Sequence, residues 1–259
     1  MASPINHAEF SAIMSIAFVF PGQGSQAVGM GASLATTYPA ARAVFAEVDD
    51  ALGQNLSKLM WDGPENELVL TENAQPALMA VSLAAMRVLA VEKGIRLRDK
   101  VAFVAGHSLG EYSALAAAES LSVADTARLL KIRGKAMQEA VPIGEGAMAA
   151  LLGADLDQAK ALAATAAEGQ VCEAANDNAP GQVVISGARA AIERAVKLGP
   201  QFGARRVVLL PVSAPFHCAL MKPAADVMRE ALNKVEIKEP AVPLVANVLA
   251  SAISNPVEI

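Results

Sequence analysis

The stretch Val101-Ala102-Phe103-Val104-Ala105-Gly106-His107-Ser108-Leu109-Gly110 decides the fold. Five apolar residues, Val101 to Ala105, run into Gly106 and read as a short buried strand. An Ala-rich helical run, Ala114 to Glu119, follows. Between the two, Gly106-His107-Ser108-Leu109-Gly110 matches G-x-S-x-G in the strand–turn–helix context that motif requires. A turn this tight crowds the backbone, and flanking glycines relieve the crowding. The Ser108 hydroxyl is left at a helix N-terminus, where free N–H groups and the dipole stabilise an oxyanion. A Gly-flanked turn with an incidental serine is the plainer reading, but motif and context agree on a nucleophile.

The alternation extends to both sides. Ile16 to Phe20 is another short buried-strand signal, closed by Pro21-Gly22-Gln23-Gly24. Ala40 to Leu52 reads as an amphipathic helix, and Gln75 to Ala90 as an apolar helix entered over Pro76. Strands alternating with helices predict an α/β fold with a largely parallel sheet. Beyond residue 146 the order changes. Ala147 to Leu152, Val171 to Ala175, Gln182 to Ser186 and Arg206 to Leu210 read as strands, with Asn176 to Gly181 as a turn-rich connection. Leu156 to Ala167 and Ala190 to Leu198 read as helices. The order βαββαβ fits a ferredoxin-like unit inserted into the larger domain. The expected division is a leader at 1–13, a large α/β domain at 14–145 and 211–259, and a small domain at 146–210. Either Met14 is the natural start, or the first dozen residues are a disordered leader.

Composition narrows the function classes. Hydrophobic residues make up 54% and charged residues 18%, which supports a folded core and excludes a disordered chain. The net charge of −5 gives no overall support to nucleic-acid binding. No run of about 18 apolar residues is present, so no membrane span is expected. Cys172 and Cys218 cannot build a disulfide framework or a Cys-rich metal site, and they suit a cytoplasmic protein. H-E-x-x-H, C-x-x-C and the P-loop are all missing, so no metal site is expected.

A serine nucleophile needs a base, and the chain has three histidines. His7 falls in the expected leader, and His107 adjoins Ser108 on a turn that aims it away. That leaves His217, in Ser213-Ala214-Pro215-Phe216-His217, on a loop after a strand. Asp125, Asp155, Asp157 and Asp177 lie between Ser108 and His217 but lack strand-end context, so a backbone carbonyl is the expected orienter. Arg133 sits in a helical segment, Ser122 to Ala140, that opens with a capping-box-like Ser122-Val123-Ala124-Asp125. Its neighbours at i−4, i−3, i+3 and i+4 are Leu129, Leu130, Ala136 and Met137, so it lies on the apolar stripe. A guanidinium there needs an anion, either a structural carboxylate or the carboxylate of a ligand. A nearby serine nucleophile favours the ligand. Gly22-Gln23-Gly24-Ser25-Gln26-Ala27 imitates a dinucleotide fingerprint, but Asp49 and Asp50 fall in a helical pattern rather than at a strand end. The better use of this loop is the Gln23 N–H as an oxyanion donor.

Together Phe20-Pro21-Gly22-Gln23-Gly24-Ser25-Gln26, Gln75-Pro76-Ala77-Leu78, Gly106-His107-Ser108-Leu109-Gly110-Glu111-Tyr112, Arg133-Gly134-Lys135-Ala136-Met137 and His217 resemble malonyl-CoA:acyl carrier protein transacylases. The resemblance runs from Ile16 to the C-terminus. It implies an α/β-hydrolase-like large domain with a ferredoxin-like insert. Carried over by position, Ser108 resembles the nucleophile, His217 the base, Gln23 and Leu109 the oxyanion donors, and Arg133 the malonate clamp. The implied reaction is a ping-pong transfer from malonyl-CoA, through a malonyl-serine ester, to the phosphopantetheine thiol of acyl carrier protein. It needs no cofactor, and a monomer is expected. Phe216 resembles a bulky residue of malonyl-selective acyltransferase domains, and ordinary packing is its plainer role. Family members continue past the position matching Ile259, so the large domain is expected to be incomplete at its C-terminus. A serine esterase or thioesterase, or a truncated non-catalytic form, are the alternatives. A basic rim drawn from Lys131, Lys135, Arg205 or Lys222 is the expected docking surface for an acidic carrier.

Overall fold

The computed structural model describes residues 16–212 and 214–259. The expectations for the leader, Met14, His7 and Ser213 lie outside them. In chain order the first half runs β1 (Ala17–Phe20), α1 (Ala32–Thr37), α2 (Pro39–Leu52), α3 (Leu56–Asp62), α4 (Glu65–Leu68), α5 (Thr71–Lys93), α6 (Leu97–Lys100), β2 (Phe103–Gly106), α7 (Leu109–Ala117) and α8 (Val123–Glu139). The second half runs β3 (Gly146–Leu152), α9 (Leu156–Ala167), β4 (Cys172–Ala179), β5 (Gln182–Ala188), α10 (Arg189–Leu198), β6 (Arg206–Leu209), α11 (Lys222–Leu232), β7 (Leu244–Ala246) and β8 (Ser251–Ile253).

Two four-stranded sheets result, ordered β1-β2-β7-β8 and β4-β5-β3-β6. In the first, β1 pairs parallel with β2, and β2 parallel with β7, while β8 closes the edge antiparallel to β7. The fold is therefore α/β with a mixed sheet. The second sheet is antiparallel throughout, with β3 between β5 and β6.

Several boundaries differ from the expectation for physical reasons. The first strand is not buried on both faces: Val19 is 72% exposed, whereas Phe20 on the opposite face is 5% exposed. Pro76 does not open its helix. That helix starts at Thr71, and Pro76 lies inside its second turn, fully embedded in the core. The turn-rich run after Ala175 is mostly strand. β4 continues to Ala179 through two register shifts, so the connection to β5 is only Pro180-Gly181.

α5 is the central helix of the larger core. By length and composition it could cross a membrane, but here it packs between α2 and α8, with Ala74, Ala77, Met79, Ala80 and Ala84 fully buried. Phe45 of α2 meets Trp61 edge-on at 5.8 Å between ring centroids. A second cluster fills the space between α9, α10 and one face of the antiparallel sheet, around Leu151, Leu162, Ile185 and Ile192. The other face of that sheet joins α8 and the chain after β6 through Met137, Met148, Val184, Phe216 and Met221.

α8 presses onto the start of α5 at Gly134. A Cβ there would lie 2.5 Å from Glu72 Cα and 2.5 Å from Thr71 O, both backbone atoms that cannot swing away. We expect Gly134→Ala to lower stability by about 1–3 kcal/mol through this overpacking. Urea denaturation measures it, and an unchanged midpoint would show that the helices separate freely.

Candidate active site

The nucleophile turn is built by close backbone approach. A Cβ on Gly106 would lie 1.9 Å from the Gly110 carbonyl carbon, and one on Gly110 would lie 2.4 Å from Phe20 O. Only glycine fits either place. The turn is tied down by His107 N–H to Phe20 O at 3.1 Å and Gly110 N–H to His107 O at 2.9 Å. Ser108 takes φ 53°, ψ −107°, a backbone conformation that a serine adopts only under external constraint.

Asn247, at the end of β7, supplies that constraint. Its Oδ1 accepts from the Ser108 N–H at 2.8 Å, and its Nδ2 donates to Gly106 O at 2.6 Å. Its own N–H reaches the Glu111 carboxylate at 3.2 Å. The Ser108 N–H is thereby occupied. The N–H groups of Leu109 and Gln23 have no hydrogen-bond partner among the described residues. Gly22 packs directly on His107, which brings the Gln23 loop against the serine turn.

His217 has φ 60° and aims Nε2 at Ser108 Oγ, 3.0 Å away. Burial holds its pKa down to about 4, helped by the Arg133 guanidinium nearby. The imidazole is therefore neutral at ordinary pH and able to accept the hydroxyl proton. No carboxylate pairs with His217 among the described residues.

Arg133 comes to the same hydroxyl from α8. Nη2 donates to Ser108 Oγ at 3.0 Å, and Nη1 donates to Gln75 Oε1 at 2.8 Å. Its Cζ lies 5.6 Å from the centroid of the Tyr112 ring. Burial lowers its pKa, opposed by Tyr112 and Glu111 nearby. No carboxylate salt-bridges to it among the described residues. Glu111 is close enough to act on it through space but does not salt-bridge to it, and two of its nitrogens are held by neutral oxygens.

Ser108, His217 and Arg133 thus converge on one hydroxyl oxygen. Phe216, next to His217 in the chain, is 8% exposed and lies in the apolar cluster with Met137 and Met148. Asp49 binds the Ser57 backbone and hydroxyl with its two carboxylate oxygens, which removes it as a ribose ligand. The expected basic rim is largely neutralised. Lys131 pairs with Glu72 at 3.0 Å, Lys135 with Glu139 at 3.9 Å, and Lys222 with Asp226 at 3.2 Å. Arg205 remains exposed. Sequence reasoning gave no role to Asn247, or to Gln75, Glu111 and Tyr112, which appear within the stretches that carry the resemblance. Gln75 had a signal of the Arg133 kind: it is a polar side chain on the stripe of Leu78 and Met79, and it is 1% exposed.

Comparison with known proteins places the chain in one family. The acyl transferase domain family matches residues 17–257. The malonyl CoA-acyl carrier protein transacylase of Escherichia coli K12 is 51% identical over 239 residues, 92% of this chain and 76% of that protein. The crystal structure of the acyl-carrier-protein-S-malonyltransferase from Bartonella henselae superposes with a TM-score of 0.91 at 56% identity, covering 95% of this chain and 78% of that one. A malonyl-transacylase solved in complex with its type II PKS acyl-carrier protein gives a TM-score of 0.89 at 45% identity, covering 94% and 78%. Matched over nearly its whole length, the chain belongs to the acyl transferase domain family.

Proposed function

We propose that this chain transfers a malonyl group from malonyl-CoA to the phosphopantetheine thiol of acyl carrier protein. One observation carries the reading: a half-buried guanidinium with no carboxylate salt bridge among the described residues, Arg133, donates to the hydroxyl that a neutral histidine faces. A serine acyltransferase for neutral acyl groups has no use for an unpaired cation there. An acyl chain ending in a carboxylate does.

The steps follow from the residues. His217 Nε2 takes the proton of Ser108 as Oγ attacks the thioester carbonyl. The oxyanion is met by the N–H groups of Leu109 and Gln23. Collapse breaks the C–S bond, and the imidazolium returns its proton to the leaving CoA thiolate. The malonyl-serine ester keeps its carboxylate on Arg133. The carrier thiol then gives its proton to His217, attacks the ester carbonyl and leaves with the malonyl group, and Ser108 recovers its proton. Phe216, next to the histidine in the chain, leaves little room for an α-methyl branch. No metal or prosthetic group takes part, and the chain acts as a monomer. Its architecture is an α/β-hydrolase-like domain at 14–145 and 211–259 with a ferredoxin-like insert at 146–210. The two buried, unpaired cysteines suit a reducing cytoplasm. Hydrolysis on the same pair is the weaker reading, since hydrolases of this fold usually set an acidic residue behind the histidine.

Radiolabelled malonyl-CoA tests the proposal. We expect label on the denatured wild-type chain and none on Ser108→Ala, whereas free malonate released without transfer would favour a hydrolase. Arg133→Ala should lose malonyl-over-acetyl preference by about 10²–10³-fold in kcat/KM, the cost of a carboxylate left unpaired in the site. Equal preference in variant and parent would exclude the clamp. Because the free-enzyme base has its pKa near 4, the acylation rate should stay flat from about pH 7 to about pH 5 and fall as pH drops through about 4. In Arg133→Gln a positive neighbour is gone, so that acid limb should move to higher pH.

A further inference from the structure

β4 touches both loops that carry the reacting pair. Near its start, Glu173 Oε2 accepts from the Ala219 N–H at 2.9 Å. Near its end, Asn178 Oδ1 lies 3.0 Å from His107 Nε2, next to the nucleophile. Between them the pairing with β5 shifts twice, at Ala174/Asn176 and Asp177/Ala179. Bulges of this kind re-aim side chains, and here the two polar ends of one strand point to the two catalytic loops.

Ala219 follows His217 by two residues and opens a 3₁₀ turn, Ala219–Met221, that runs straight into α11. No side chain at either N-cap position supplies a hydrogen bond. The first N–H groups of a helical segment need acceptors, and a carboxylate suits them best. Glu173 provides that acceptor from the antiparallel sheet. A second tether, Cys218 Sγ to Pro215 O at 3.2 Å, closes the turn on its other side. The turn between them holds His217 in the left-handed region, which a histidine does not occupy without support.

We propose that Glu173 is a positioning residue for the base: its carboxylate caps the turn at Ala219 and keeps His217 in line with Ser108. It touches no substrate and acts through the backbone of residue 219. The inference rests on Ser108 and His217 being the reacting pair, as in the proposed function.

The test uses a small fluorophosphonate, which needs the Ser108–His217 pair but no malonyl recognition. Ser108 Oγ forms a bond to phosphorus, the P–F bond breaks, fluoride leaves, and His217 takes the hydroxyl proton. We expect Glu173→Ala to slow this reaction about tenfold while lowering the thermal midpoint by no more than about 2–6 °C, so that the chain stays folded in the assay. Glu173→Gln keeps an acceptor oxygen and should restore most of the rate. In malonyl-CoA assays the loss should fall on kcat and not on KM. Should Glu173→Ala fail to fold, Glu173→Asp, one methylene shorter, replaces it with the same expectation. A variant that reacts at the parent rate overturns the inference, and so does a Glu173→Gln as slow as Glu173→Ala. A parent chain that reacts with the fluorophosphonate but not with malonyl-CoA overturns the malonyl reading alone. A parent Ser108 inert to the fluorophosphonate overturns the pair, and this inference with it.

Discussion

One hydroxyl oxygen shared between a guanidinium and an imidazole organises this molecule. Ser108 Oγ stands 3.0 Å from Arg133 Nη2 and 3.0 Å from His217 Nε2. The three groups come from a strand–helix turn, a long helix and a loop beyond the second sheet, so each layer of the fold has a part in the alignment. The electrostatics are consistent. Burial, helped by the cation beside it, keeps the histidine unprotonated, and the hydroxyl can then donate to the ring nitrogen while accepting from the arginine. Among the described residues no carboxylate salt-bridges to the guanidinium, and Glu111 acts on it only through space, which leaves its hydrogen-bonding edge open to an incoming anion.

The packing that maintains this arrangement is close at its critical points. Gly134 lets α8 meet the start of α5 without a side chain between them, which sets the depth of Arg133. Gln75, also on α5, receives the other end of the guanidinium. The antiparallel sheet contributes from the opposite direction: the apolar face carrying Met148 and Val184 supports Phe216, next to the base. Side chains of both sheets therefore bear on a single point.

Much of this was legible in the sequence. The serine turn announced itself because steric crowding restricts it to G-x-S-x-G. Ser122 does cap its helix, accepting from the Asp125 N–H at 3.0 Å. Arg133 stood out as a charge on an apolar stripe, and elimination among histidines led to His217. What stayed hidden depends on contacts between distant residues. Asn247 has nothing in its local sequence to distinguish it, and its importance comes from an approach across the sheet. The continuation of β4 through Asn176, Asp177 and Asn178 goes against strand propensity, and it is the neighbouring β5 that holds it extended. The exposed face of β1 was equally invisible, because a four-residue apolar run does not say which side is covered.

The bond from the Ser108 N–H to Asn247 spans 139 residues of chain. A polypeptide emerging from the ribosome exposes its serine long before the residue that braces it. The bonds to Phe20 and within the turn can form early, but the Asn247 brace is missing until the seventh strand arrives. Nascent and proteolysed fragments that end short of that asparagine carry the same turn without the residue that braces it.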